Sequence, residues 1–144
     1  MTTGQTETTI DTIAAECIAV RVRMLNRAIT KIYDDALRPL GLKASQMNIL
    51  VAAGKMGTAR PADVCAHLHL DVSTLSRNVE RMKVKGWLEV VHDEDGRAQP
   101  FRLTDAGREL LDRAGPAWQI AQERAESVLG EGLVDQLKQA VKRL

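Results

Sequence analysis

The sequence predicts a mainly α fold with a small β-hairpin wing, and a few features of the chain point to it. Apolar residues recur at steps of three and four along most of its length, the signature of helices that bury one stripe. That period breaks after Gly86, where two short β-rich runs flank an Asp95-Gly96 pair, a turn former whose place between apolar runs signals a hairpin. Aromatic side chains are confined to Tyr33, Trp87, Phe101 and Trp118, so the core has to be aliphatic, which suits packed helices. A length of 144 residues and an apolar content of 44% match one globular domain spanning 1–144.

The first helix is read from Ile10, Ile13, Cys17, Val20, Met24, Ala28, Ile32 and Ala36, which fall on one stripe. Thr9 or a neighbour caps it, and Pro39 and Gly41 stop it. Such a helix is about 40 Å long, and one small domain has no core large enough to cover that stripe. Ser45 to Ala53 forms a second helix, with Met47, Leu50 and Val51 on its apolar side and Gly54 near its end. Pro61 suits the first turn of a third helix, where its missing N–H costs nothing. Val64 and Leu68 share a face there, and the chain turns through His69-Leu70-Asp71. A fourth helix follows, its buried stripe expected to be Val72, Leu75, Val79 and Met82, and it ends at Gly86.

Trp87 to Val91 and Ala98 to Leu103 are the two strands of the hairpin, and Pro100 marks the second as an edge strand. Thr104 caps the next helix, whose apolar positions are Leu110, Ala114, Ala117, Ala121 and Val128, with a kink expected at Gly115-Pro116. After Gly130 and Gly132, a last helix shows Leu133, Leu137, Ala140 and Leu144.

A net charge of +1 does not favour a polyanionic partner, but its distribution is uneven. Residues 21–43 carry six basic against two acidic side chains, and residues 73–85 carry four against one. A basic face on a nearly neutral body is compatible with nucleic acid, and also with ordinary solvated helix surfaces.

The unit that carries a function is the helix, tight turn, helix and charged hairpin of residues 61–103. In such a unit the second helix fits a major groove about 12 Å wide. Ser73, Thr74, Ser76, Arg77, Asn78 and Arg81 are then the DNA-binding candidates. Hydroxyls near the helix start donate to phosphates or base edges, and arginine pairs bidentately with guanine. Arg97 at the hairpin tip reaches a narrow minor groove or a phosphate, and Asp95 braces its guanidinium. The helix-turn-helix pattern by itself also describes a helical subdomain whose polar face meets water. The added hairpin with its arginine favours duplex DNA.

Leu70-Asp71-Val72-Ser73-Thr74-Leu75-Ser76-Arg77, continuing to Lys85-Gly86, resembles the recognition helix of the MarR family of transcriptional regulators. Asp95-Gly96-Arg97 and Leu103-Thr104-Asp105-Ala106-Gly107 are similar to that family's wing and following helix start. The likeness runs from about residue 10 to the end. It implies a winged helix-turn-helix with N- and C-terminal dimerisation helices: residues 10–38 and 105–144 for dimerisation, 44–103 for the DNA-binding lobe. It also implies a cytoplasmic homodimer on a palindromic operator, half-sites about one helical turn apart, acting as a repressor released by a small-molecule effector. Effectors of such proteins enter between the dimer helices and the lobe, here near the first helix, the second helix and the start of the fifth. Many members carry arginine at one or both of the positions held here by Gly96 and Ala98, so this wing bears less charge.

The sequence also admits other readings. Some relatives sense peroxide through a first-helix cysteine, but Cys17 lies out of phase with that position and the expected tyrosines are missing. Arg21, one turn on, still offers a way to activate the Cys17 thiol. Cys65 reads as packing, and His67 points away from Cys65 and His69 on a helix, against a metal site. Two cysteines so far apart make no disulfide framework. No nucleotide-binding glycine loop or nucleophile motif is present, so neither catalysis nor a cofactor is expected. No apolar run reaches the ~20 residues of a membrane span. A winged-helix interaction module without DNA binding also stays open, since 58–103 balances seven basic against seven acidic residues.

Overall fold

The structure, a computed structural model, describes residues 6–92, 96 and 98–144. Helix α1 (Thr9–Glu16) leads into α2 (Ile18–Leu37), a 3-10 turn (Arg38–Leu40), α3 (Ala44–Met56), α4 (Pro61–Leu68) and α5 (Val72–Val84). Strands β1 (Leu88–Val90) and β2 (Phe101–Leu103) follow, then α6 (Asp105–Leu129) and α7 (Glu131–Val141). The architecture is the mainly helical one that the periodicity predicts.

The expected single first helix is two helices. Its cap is Thr8, whose hydroxyl accepts from the Asp11 N–H while the Asp11 carboxylate accepts from the Thr8 N–H, a reciprocal capping box. At Cys17 the backbone leaves the helical region with ψ 114°. The Arg21 guanidinium donates to the carbonyls of Cys17 at 2.9 Å and Ala14 at 3.3 Å. It thereby supplies donors where the helical ladder is interrupted. Apolar spacing alone could not reveal this break, because the stripe continues in phase across it.

The core lies in the lobe formed by α3, α4, α5, the hairpin and the first half of α6. Leu37, Leu42, Ile49, Leu50, Val64, Leu75, Met82, Phe101 and Leu110 are all fully buried, each stabilising by about 1.5–3 kcal/mol. Helix α2 enters this lobe at Leu37, and the Asp34 carboxylate accepts from the Ala44 N–H at 2.8 Å, satisfying a first-turn donor of α3.

Strands β1 and β2 are antiparallel, with Leu88 opposite Leu103 and Val90 opposite Phe101. The expectation of an edge position for β2 is corrected. Phe101 also exchanges both backbone hydrogen bonds with Ala59, at 2.8 and 2.9 Å, so it is flanked on both sides. Pro100 is tolerated because it precedes the ladder, and its carbonyl accepts from Val91.

Thr104 caps α6 as expected: its hydroxyl accepts from the Gly107 N–H at 3.0 Å and donates to the Gly86 carbonyl. Helix α6 runs unbroken through Gly115-Pro116. Only the Asp112 carbonyl loses its helical donor there, and Asp112 is exposed to water. Helix α7 ends at Val141, so Leu144 lies beyond it, and none of its residues is buried. Exposed apolar side chains gather on the terminal helices, among them Ile10, Ile13, Val22, Met24, Ile120, Val128 and Val141. Among the described residues, no helix is long and apolar enough to cross a membrane.

Candidate nucleic-acid interface

Helix α4 opens on Pro61 and closes on His69, whose φ of 53° is left-handed. The turn is secured by the Leu70 N–H, which donates to the Cys65 carbonyl at 3.0 Å. Asp71 then starts α5. Leu75 and Met82, seven residues or two turns apart, are buried and pin α5 to the lobe. Val79 and Asn78 are half-buried on either side of them.

The six DNA-binding candidates on α5 separate into two groups. Ser73, Ser76, Arg77 and Arg81 are exposed. Ser73, Arg77 and Arg81 follow one another at four-residue steps, so they line one face. Thr74 and Asn78 are half-buried, and the Asn78 amide donates back to the Thr74 carbonyl at 3.0 Å, which holds it against its own helix. Val72, expected in the buried stripe, is 68% exposed. Its spacing from Leu75 matches the stripe, but as the first residue of α5 it projects past the end of the core.

The basic character of 73–85 separates in the same way. Lys83 is paired with Glu80 at 3.0 Å, and the Lys85 ammonium sits 5.2 Å from the centre of the Trp87 ring. Neither Arg77 nor Arg81 pairs with another described residue, so both guanidinium groups are available to a polyanion. On the hairpin, Arg102 is neutralised by Glu89 across the strands at 2.7 Å. Asp95 and Arg97, the proposed wing pair, lie outside the described residues. Gly96 between them has φ 59°, a conformation glycine adopts without strain.

A second feature was not legible in the sequence. Between α3, α4 and α6 lies a cavity of about 590 Å³. Met47, Val51, Leu111 and Trp118 make its apolar walls, and Asn48, Lys55 and His67 add polar groups. It is lined by the second helix and the first half of the fifth, two of the three elements that the sequence reading names for an effector, and by the third helix in place of the first. Its parts are scattered over 47–118, so no local pattern marks it.

Cys17 is half-buried at the α1–α2 break, where Arg21 bonds its carbonyl. Cys65 is half-buried against the core, in keeping with packing. No group of three or more metal-ligating side chains comes together among the described residues.

Tyr33 of α2 donates a short hydrogen bond to Gln122 of α6, joining the two long helices. Burial pushes the Tyr33 hydroxyl above its ordinary value, helped by the nearby Glu126 carboxylate.

Residues 40–98 match the sequence model of the MarR family. The chain is 28% identical over 78 residues to YwoH of Bacillus subtilis, an uncharacterised HTH-type transcriptional regulator; the match covers 54% of this chain and 57% of that protein. Among solved structures, the Mycobacterium tuberculosis regulator MOSR in complex with DNA aligns with a TM-score of 0.78 at 27% identity, covering 89% of this chain and 96% of that one. BpsR of Bordetella bronchiseptica, whose DNA binding is regulated by 6-hydroxynicotinic acid, aligns with a TM-score of 0.78 at 22% identity, covering 89% and 98%.

Proposed function

We propose that the chain is a winged helix-turn-helix protein of the MarR family, whose sequence model matches residues 40–98, and that it is a sequence-specific DNA-binding transcriptional regulator. The observation that carries this reading is the exposed face of α5, where Arg77 and Arg81 stand beside Ser73 without a partner among the described residues. Helix α5 occupies the major groove, Ser73, Ser76 and Arg77 address base edges, and Arg81 meets phosphate. Thr74 and Asn78 serve mainly to hold the helix. Arg97, braced by Asp95, completes the contact from the wing; that role rests on sequence position.

The regulator acts as a homodimer. The apolar side chains left exposed on α1, α2, α6 and α7 supply the surface that a second copy covers, and twofold symmetry requires a palindromic operator. It represses by occupying a promoter and is not an enzyme; its DNA target places it in the cytoplasm. A small apolar ligand bearing an anionic group enters the cavity beside α3 and α6, its anion meeting Lys55 and His67, and releases the DNA. The MOSR structure with DNA and the regulation of BpsR by a small aromatic acid support both halves of this reading.

The test is recovery of bound sequences from a random duplex pool, followed by a salt titration of the recovered site. The affinity should fall linearly on logarithmic axes, with a slope set by the number of phosphates neutralised. Recovery of no sequence, at low salt and with dimeric protein, overturns the reading.

A further inference from the structure

The most informative departure of the lobe from its sequence pattern is Val72. Its apolar spacing assigns it to the core stripe, yet it is 68% exposed while Leu75, three residues on, is buried. It forms the outer lip of a small crevice of about 210 Å³, lined also by Pro61, Ser76, Gln99 and Phe101. Its isopropyl group is therefore not committed to the core.

Its neighbours give the exposure meaning. On a helix, residues three and four positions on from Val72 share its face; Leu75 is buried beneath it, and Ser76 is one of the exposed DNA-binding candidates. Val72 thus borders, at Ser76, the patch already assigned to DNA, and it lies in the first turn of the helix, where groove-reading helices place their base contacts. A valine has no group for a phosphate or for the polar edge of a base. The apolar feature of a base edge in the major groove is the C5-methyl of thymine. Because its χ1 is stiff, the side chain loses little freedom on covering that methyl.

We infer that Val72 is a specificity-determining residue that selects thymine at one position in each operator half-site. The inference rests on the DNA-binding reading and deepens it by naming a base.

The experiment uses the full-length protein and a duplex recovered by selection. Each dT is replaced singly by deoxyuridine, which lacks only the methyl. One symmetry-related pair of positions should weaken binding about fourfold per half-site, the cost of uncovering roughly one methyl group. In Val72→Ala that pair should become insensitive to the replacement, while sensitivity elsewhere is retained. Alanine is a good helix former at this exposed position, and unchanged thermal unfolding will show that the variant is folded.

Wild-type and Val72→Ala profiles that coincide, or a wild type indifferent to every replacement, overturn the inference and leave the DNA-binding reading standing. Failure to recover any sequence overturns both.

Discussion

Gly107 lies so close to the carbonyl of Trp87 that a Cβ built on it would stand 2.2 Å from that oxygen. The first turn of α6 is thus pressed onto the chain just before β1, and Thr104 ties the same junction by bonding Gly86 and Gly107. Gly107→Ala must push backbone from backbone, with no flexible side chain to yield. It should destabilise the fold by about 1–3 kcal/mol, read as a lower urea midpoint with an unchanged m-value. Wild-type stability in this variant would show that the junction relaxes freely.

Tyr33→Phe removes the hydroxyl that binds α2 to α6 through Gln122. A partly buried hydrogen bond contributes about 1 kcal/mol, so thermal unfolding should shift down by a few degrees. The pH dependence has a definite sign. The folded Tyr33 hydroxyl titrates above its ordinary value of 10.0, mainly through burial and secondarily through Glu126. Below that value both states are protonated and the contribution is complete; above it the unfolded chain ionises first and stability is lost. Tyr33→Phe should show a shallower loss of stability above pH 10 than the wild type does.

Arg77→Ala and Arg81→Ala should separate by role. The first removes a base contact and should cost about tenfold or more in operator affinity while relaxing sequence preference. The second removes a phosphate contact, so it should weaken all duplexes alike and reduce the salt slope by about one. Lys83→Ala, whose ammonium is already held by Glu80, should change affinity little. Equal behaviour of the three variants in a filter-binding salt series would refute the assignment.

Val141→Asp places a charge on the exposed apolar face of α7. Sedimentation should then show the monomer–dimer equilibrium moved toward monomer, with operator binding weakened because two recognition helices are no longer held at groove spacing. A wild type that sediments as a monomer at micromolar concentration would remove the basis of this prediction.

Val51→Phe should partly fill the cavity bounded by Met47, Leu111 and Trp118. With an aromatic acid as probe, quenching of tryptophan fluorescence should saturate in the wild type and require at least tenfold more ligand in the variant. Lys55→Gln should weaken binding of the acid more than that of its neutral amide. Identical titrations of the wild type and both variants would place the effector elsewhere.

Much of the fold was readable because its signals are local. Pro61 at a helix start, Thr104 as a cap and the change of period after Gly86 each depend on residues a few positions apart. The polar face of α5 was readable for the same reason: once Leu75 and Met82 are assigned to the core, helical geometry turns Ser73, Arg77 and Arg81 outward.

Other features were decided only by tertiary structure, because they depend on where the core ends and on what a distant segment supplies. Val72 keeps the spacing of a core residue but lies past the edge of the lobe. Ala59 reaches across to Phe101 and makes an apparent edge strand central. Trp87 demands a glycine at 107, and α3, α4 and α6 enclose a cavity that no one of them encodes. A side chain's periodicity sets the direction it faces; whether anything meets it there depends on the packing of elements far away in the chain.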